Sequence, residues 1–195
     1  MPRRPTRTVP TVVLHGWQGS TGDHWQVWLA AQLRGTGREV RFPDLPDAGT
    51  PNLDAWLVAL DGVLAGLPPD GFDLVAHSLG SILWLHHVTR ETASPRPARV
   101  ALVAPISPHT DIVELASFFP VPLDVDQVRH GADGTVLVAS DNDPYTPEGI
   151  AESYARPLKI PTTVIQGGGH LNVEAGFGPW PAMLDWCGRD NLAFF

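Results

Sequence analysis

The clearest chemical signal is a serine that stands between a short apolar run and a helical stretch. Residues 72–80 read FDLVAHSLG, so a predicted strand over 72–76 leads through Ser78 into a predicted helix over 80–90. This is the context of a nucleophile elbow, a strained strand-to-helix turn that exposes the serine hydroxyl. The helix N-terminus behind it offers N–H groups and positive potential to a developing oxyanion. The segment predicts Ser78 as a nucleophile.

The residues two places before and after such a serine have to be small, because the backbone there passes close to its neighbours. Gly80 meets this requirement. Ala76 stands where the motif has glycine, and alanine is the next smallest residue. The alternative is a serine on an ordinary strand-to-helix loop.

A serine hydroxyl also needs a base, and the base needs an orienting acid. In the nucleophile-elbow fold the chain order is serine, then Asp or Glu, then His. Here one late predicted strand is followed by residues 140–147 (SDNDPYTP), and the last by residues 166–172 (QGGGHLN), which include His170. Open α/β sheets place their sites at this edge. Each loop alone also suits an ordinary turn, whereas the ordered set predicts a triad.

Two carboxylates compete for the acid position. Asp143 precedes a proline, which holds the residue before it extended, so its side chain can project. Asp141 lies nearer the strand and could instead accept hydrogen bonds from turn amides. We therefore favour Asp143, and we expect the three glycines before His170 to allow the bend that aims the imidazole at Ser78.

An oxyanion needs two donors. The first candidate is the backbone N–H of Leu79, directly after the nucleophile. The second is the N–H of Trp17 in residues 14–20 (LHGWQGS), the loop after the first predicted strand. We expect His15 in that loop to organise the backbone, because His170 already fills the place of the base.

Aromatic residues suggest where an apolar acyl group could bind. Trp17 and the pair Phe118 and Phe119 are candidates for the wall of such a pocket. Trp25 and Trp28 suit the core side of the first helix at least as well.

The remaining histidines carry weaker signals, and for each a packed or surface position is favoured over a metal ligand. They are His24, His77, His86, His87, His109 and His130. His77 is expected to point off the side of the strand opposite the nucleophile. The sequence contains no HExxH, no GxxxxGK loop and no GxGxxG after a strand, so it predicts no metal and no nucleotide cofactor.

The elements that must position these groups follow from the pattern of apolar runs. The predicted strands cover residues 11–14, 39–42, 72–76, 99–103, 135–139 and 162–165. The predicted helices cover residues 24–34, 54–67, 80–90, 147–158 and 180–187, with a mixed region at 107–130. Nearly all-apolar strands separated by helices are typical of a parallel sheet covered on both faces. We expect an α/β fold with about six strands.

Composition bounds the class of protein. The 195 residues suit one domain over 1–195, with a flexible N-terminus over about 1–8, and apolar residues make up 43%. The formal net charge of −8 argues against a nucleic-acid partner. The single Cys187 excludes an internal disulfide and a cysteine-based zinc site. No apolar run is long enough for a signal peptide or a membrane span, so we expect a cytoplasmic protein without a membrane partner.

Six blocks of sequence, taken together, resemble a known family. They are HGWQGS at 15–20 with HWQ at 24–26, PDLP at 43–46, NLDAW at 52–56, HSLG at 77–80, SDNDP at 140–144 and GHLN at 169–172. The chain resembles the small α/β-hydrolases typified by retinoblastoma-binding protein nine and the bacterial YdeN proteins. Ala76 for glycine and Ser81 where many relatives carry cysteine are the departures, and neither removes a catalytic group.

The resemblance implies a serine hydrolase with Ser78, Asp143 and His170 as its triad. We expect esterase-like cleavage of a small ester or acyl substrate through an acyl-enzyme; thioesters, amides and acyl transfer share this chemistry. A protein-binding module on a hydrolase fold is the alternative. Only residues 105–133 could cover the site, so an open site without a large cap is expected.

Overall fold

The computed structural model describes residues 8–68, 71–90 and 95–194. Six parallel strands form one sheet in the order β2-β1-β3-β4-β5-β6. They are β1 (Thr11–Leu14), β2 (Val40–Arg41), β3 (Asp73–His77), β4 (Arg99–Val103), β5 (Gly134–Ser140) and β6 (Thr162–Ile165). The first strand, β1, lies next to the edge strand β2, and the strand order then reverses once to continue from β3 to β6 on the other side of β1. Such a reversal opens a crevice at the carboxyl ends of the strands.

The central strands of the sheet are buried on both faces, as is typical of a parallel sheet that helices cover on each side. Every residue of β1, β3 and β4 is buried. The helices are α1 (Trp25–Gly35), α2 (Leu53–Leu64), α3 (Leu79–Val88), α4 (Val125–Gly131), α5 (Arg156–Leu158) and α6 (Pro181–Gly188). Apolar side chains of α1 and α6 pack on one face, and those of α2 to α5 pack on the other. The α/β prediction is confirmed.

Two parts of the secondary structure differ from expectation. The helix predicted over 147–158 begins only with a π-helical turn at Ala151–Ala155, which continues into α5. Before it, the chain forms turns in which Thr146 N–H donates to Asp143 O and Gly149 takes a φ of 86°. The 107–130 region contains a 3₁₀ helix, Val113–Phe118, followed by most of α4. Within the described residues these short elements form no large cap.

Two further expectations concern the chain ends and membranes. Residues 1–7 of the predicted flexible N-terminus lie outside the described residues. Among the helices of the described ranges, none has the length and apolar character needed to cross a bilayer.

Candidate active site

The turn after β3 places Ser78 in a strained conformation. Its φ of 55° and ψ of −123° lie where residues other than glycine are rarely found. The strain is held by the structure around the turn: the Ser78 N–H donates to Val103 O at 2.8 Å, and α3 begins at the next residue. The hydroxyl therefore projects beyond the sheet edge from the N-terminus of a buried helix.

Two glycines make room for this turn. A Cβ on Gly80 would lie 2.5 Å from His15 O and 2.8 Å from Leu14 O, so α3 could not approach β1 with any larger residue. A Cβ on Gly16 would lie 2.7 Å from Ser78 Cβ. The requirement for a small residue at position 80, read from the motif, thus has a direct structural cause.

Three side chains from separate strand ends meet at this point. Ser78 Oγ lies 2.9 Å from His170 Nε2, and His170 Nδ1 lies 3.0 and 2.8 Å from the two carboxylate oxygens of Asp143. A carboxylate only accepts hydrogen bonds, so Nδ1 carries a proton and Nε2 is left to accept from the serine hydroxyl. All three residues are buried, at 5, 7 and 7% exposure for Ser78, Asp143 and His170. The arrangement is that of a nucleophile, a base and an orienting acid.

The loops after β5 and β6 hold the acid and the base. Asp143 Oδ1 accepts from the Tyr145 N–H at 2.9 Å, whereas Asp141 Oδ1 accepts from the Gly167 N–H at 2.7 Å. Gly167 and Gly169 take φ values of 66° and 54°, a region that favours glycine. The structure thus places Asp143 on the imidazole and Asp141 on the backbone of the loop that carries it.

Of the two residues proposed to supply oxyanion donors, Leu79 follows Ser78 in the chain and Trp17 belongs to the loop after β1. Leu79 is the first residue of α3, where an N–H has no intrahelical acceptor. Trp17 lines the same cavity as Ser78, and its indole N–H is fixed on Gly49 O at 2.8 Å. His15 Nε2 accepts from the Leu45 N–H at 2.9 Å, and its Nδ1 lies 2.8 Å from Gly16 O. His15 therefore ties this loop to the chain after β2, and burial lowers the pKa of its imidazole.

Comparison with known proteins assigns the chain to a family. The serine hydrolase family matches residues 11–188, which is nearly the whole chain. The protein belongs to the serine hydrolase family. Its sequence is also 25% identical over 179 residues to the YdeN protein of Bacillus subtilis (strain 168), covering 91% of this chain and 94% of YdeN.

Solved structures extend the comparison to the fold. The B. subtilis ydeN gene product superposes with a TM-score of 0.77 at 24% identity, covering 91% of this chain and 96% of that one. A YdeN-like protein of Pectobacterium atrosepticum gives 0.69 at 24%, covering 91% and 88%. A carboxylesterase structure from Nitrososphaera gargenis gives 0.66 at 13%, covering 92% and 88%. The serine hydrolase therefore has the α/β-hydrolase fold.

A cavity of about 350 Å³ opens over Ser78. Trp17 lines it, as expected, but Phe118 and Phe119 do not. Phe118 is fully buried, with its ring edge-on to Trp56 at 5.2 Å, because the 3₁₀ helix turns this residue into the core. The apolar wall comes instead from other residues of the same region, namely Ile106, Ile112 and Leu115.

Two histidines for which the sequence favoured a packed or surface position, His24 and His77, lie next to the site. His77 Nε2 lies 3.0 Å from His170 O, and the ring centroids of the two residues are 5.0 Å apart. His24 caps α1 and lies 5.1 Å from the His77 ring. Burial and the neighbouring imidazoles lower the pKa of His24 to about 4 and that of His77 well below its usual value. His77 thus contacts the proposed base through the His170 carbonyl, while its ring packs against Trp25 on the α1 face of the sheet.

The other histidines do not form a ligand set. His86 Nε2 lies 2.8 Å from Phe118 O, His87 is buried against Trp84, and His130 is bonded to a carbonyl of its own helix. No group of His, Cys, Asp and Glu side chains with metal-binding geometry occurs among the residues that the structure describes.

Proposed function

We propose that this serine hydrolase cleaves small carboxylic esters through Ser78, His170 and Asp143. The observation that carries the proposal is the continuous hydrogen-bonded series from Ser78 Oγ through both imidazole nitrogens of His170 to the carboxylate of Asp143. Such a series lets the imidazole take the serine proton while the carboxylate stabilises the imidazolium that forms.

The reaction would proceed in two steps. Ser78 Oγ attacks the ester carbonyl as its proton passes to His170 Nε2, and the amides of Leu79 and Trp17 stabilise the oxyanion. His170 then protonates the departing alkoxide and leaves an acyl-enzyme. In the second step His170 deprotonates a water molecule, which attacks the acyl group and releases the acid and free Ser78.

Small esters suit the proposed reaction better than amides do, because an alkoxide leaves more readily than the amide anion of an amine. The fold neighbour from N. gargenis is a carboxylesterase, which also favours an ester. A cavity of about 350 Å³ has room for short to medium acyl groups. Acyl transfer to an alcohol or amine is the same first step with a different acceptor, and it would appear as product partition toward added acceptor.

A fluorophosphonate probe tests the nucleophile directly. Wild-type protein should be labelled once, at Ser78, and Ser78→Ala should lose the label while remaining folded by circular dichroism. A panel of p-nitrophenyl esters of rising chain length should then show preference for the short and medium members. Intact protein that fails to react while a known hydrolase reacts in parallel would remove the enzyme hypothesis.

The alternative function is a protein-binding module, suggested by the resemblance to retinoblastoma-binding protein nine. In that case Ser78 would be unreactive although the triad geometry is present. The small-molecule substrate and the cytoplasmic location also remain predictions.

A further inference from the structure

The cavity above Ser78 has two chemically different sides. Its apolar side is formed by Ile106, Ile112, Leu115 and Trp17, all of which belong to or pack against the core under α2 and α3. Its other side is mostly polar and is formed by the loop before α1, with Ser20 and Thr21, and by the loop after His170, where Asn172 and Glu174 flank Val173. These two loops are neighbours, because a Cβ on Gly178 would lie 3.3 Å from Asp23 O.

The chemistry of the proposed reaction assigns the two sides to the two halves of an ester. His170 Nε2 has to protonate the departing oxygen, so the leaving group must lie within hydrogen-bond reach of that atom. The polar side is continuous with His170 in the chain, since Asn172 and Glu174 follow it by two and four residues. The acyl chain is then directed to the apolar side, where burial of its carbons is favourable.

The charge of the polar side is negative. Glu174 contributes an exposed carboxylate, and no Lys or Arg is present among the described residues that line the cavity. The neighbouring imidazoles add no positive charge near neutral pH, because burial lowers the pKa of His24 to about 4 and lowers that of His77 as well. The chain as a whole carries a formal charge of −8. A leaving group with a negative charge is therefore disfavoured at this side.

We propose that the enzyme prefers esters of cationic alcohols over esters of neutral alcohols, and esters of anionic alcohols least, with Glu174 as the residue that sets this order. The inference rests on the proposed ester hydrolysis. It names the substrate class by the chemistry of the alcohol: a leaving group that carries a positive charge, on a short apolar acyl group.

Three butyrate esters test the inference at constant acyl group. Butyrylcholine carries a cationic leaving group, 3,3-dimethylbutyl butyrate is its neutral isostere, and 3-sulfopropyl butyrate is anionic. At low salt, kcat/KM for the choline ester should exceed that for the neutral isostere by about fivefold, the effect of one nearby charge in water. The sulfonate should be disfavoured by a similar factor, and both ratios should approach one in 1 M salt.

Variants locate the charge that is responsible. Glu174→Gln should bring the choline-to-neutral ratio of kcat/KM close to one, and Glu174→Lys should reverse the order of choline and sulfonate. Glu152→Gln is the matched control, since this exposed carboxylate lies on the π-helical turn before α5 and not in the cavity. It should leave the ratio unchanged.

The outcomes separate this inference from the function on which it rests. A wild-type ratio near one, or an equal effect of the two glutamine variants, overturns the role of Glu174 while p-nitrophenyl ester hydrolysis and labelling of Ser78 persist. If no ester is cleaved and Ser78 is not labelled, the proposed function fails and the preference fails with it.

Discussion

The two ends of strand β3 use polar residues in opposite ways. The strand is five residues long and fully buried; it begins with Asp73 and ends with His77. Asp73 is paired with a permanently charged guanidinium, whereas burial lowers the pKa of the His77 imidazole well below its usual value. The first end is closed by a helix, and the second faces the cavity.

At the amino end, Asp73 and Arg99 stand opposite each other in the register of β3 and β4. Arg99 donates to both carboxylate oxygens, at 3.1 and 2.6 Å, and to carbonyls at the end of α6, including Trp186 O at 3.1 Å. Its guanidinium also lies 4.4 Å from the centroid of the Trp186 ring. Here charge fastens α6 to the sheet.

At the carboxyl end, the charge beside the proposed base is the carboxylate of Asp143, which the proposed reaction uses to stabilise the imidazolium. Other neighbours of His170 are aromatic: His77 contacts its carbonyl, and the Tyr145 ring lies 4.5 Å from its imidazole. One strand thus supplies a structural ion pair at one end and a reactive environment at the other. Removing a group at each end should therefore affect different quantities.

The largest effect is expected on catalysis at the carboxyl end. Asp143→Asn should lower kcat for a p-nitrophenyl ester by about 10³- to 10⁴-fold, because the amide no longer holds the tautomer or stabilises the imidazolium. The free energy of unfolding should change little by comparison. The control is Asp141→Asn, which alters only the bond to the Gly167 N–H and should cost less than tenfold in kcat. A larger loss in the control would reverse the assignment of the acid.

At the amino end the effect should appear in stability. Arg99→Met removes the guanidinium from a carboxylate that is fully buried, so the free energy of unfolding in urea should fall by about 3–5 kcal/mol. At temperatures where the variant is folded, kcat should be close to that of the wild type.

The matched control for this variant is Arg90→Met. Arg90 pairs with Asp61 near the surface, with side-chain exposures of 34 and 44%, so the loss should stay under about 1 kcal/mol. An equal loss in the two variants would show that burial of the Arg99 pair is not what matters.

Most of the fold could be predicted because the strand signals were unambiguous. Three predicted strands, 11–14, 99–103 and 162–165, have the observed bounds, and the other three differ by one residue at each end. Short β-branched runs between turn residues define a strand locally. The helix predicted over 147–158 was too long, because Gly149 with its positive φ ends the turns before it and no local pattern distinguishes that from a helix start.

The site could be predicted only where a motif determines the backbone. The positions of Ser78, Asp143 and His170 follow from an ordered motif at strand ends, and the structure brings these residues together. The cavity wall could not be predicted, since which face of a 3₁₀ helix points inward depends on distant partners such as Trp56. His77 was missed because its contact with His170 spans 93 positions in the chain.

A smaller effect on kcat is expected from His77, at the carboxyl end of β3. His77→Leu removes the donor to His170 O and should lower kcat by about 10- to 100-fold with little change in KM, because the base loses its orientation. His77→Gln should recover most of the activity, since the Gln amide can place an N–H where Nε2 lies. A purely structural role predicts instead that the two variants lose activity in proportion to their loss of stability.

The smallest expected effect is on the pH dependence of the free energy of unfolding, to which the lowered pKa of His24 contributes. The pKa of His24 is about 4 in the folded protein and about 6.5 in the unfolded chain, so the unfolded chain binds more protons between these values. Stability is therefore lost as the pH falls from 6.5 toward 4. Protonation also removes the acceptor for the Gln26 N–H at the start of α1.

His24→Asn keeps a side-chain acceptor at this N-cap but cannot be protonated in this range. Unfolding in urea at pH 7.5 and 5.5 should show that the variant loses about 1 kcal/mol less than the wild type on acidification. The substitution also removes the ring contacts of His24, but their contribution to the free energy of unfolding is lost at both pH values and so cancels in the difference. His130→Asn, at an exposed position on α4, should keep the full wild-type difference. If His24→Asn also keeps the full difference between the two pH values, protonation of His24 does not limit the stability of the folded protein in acid.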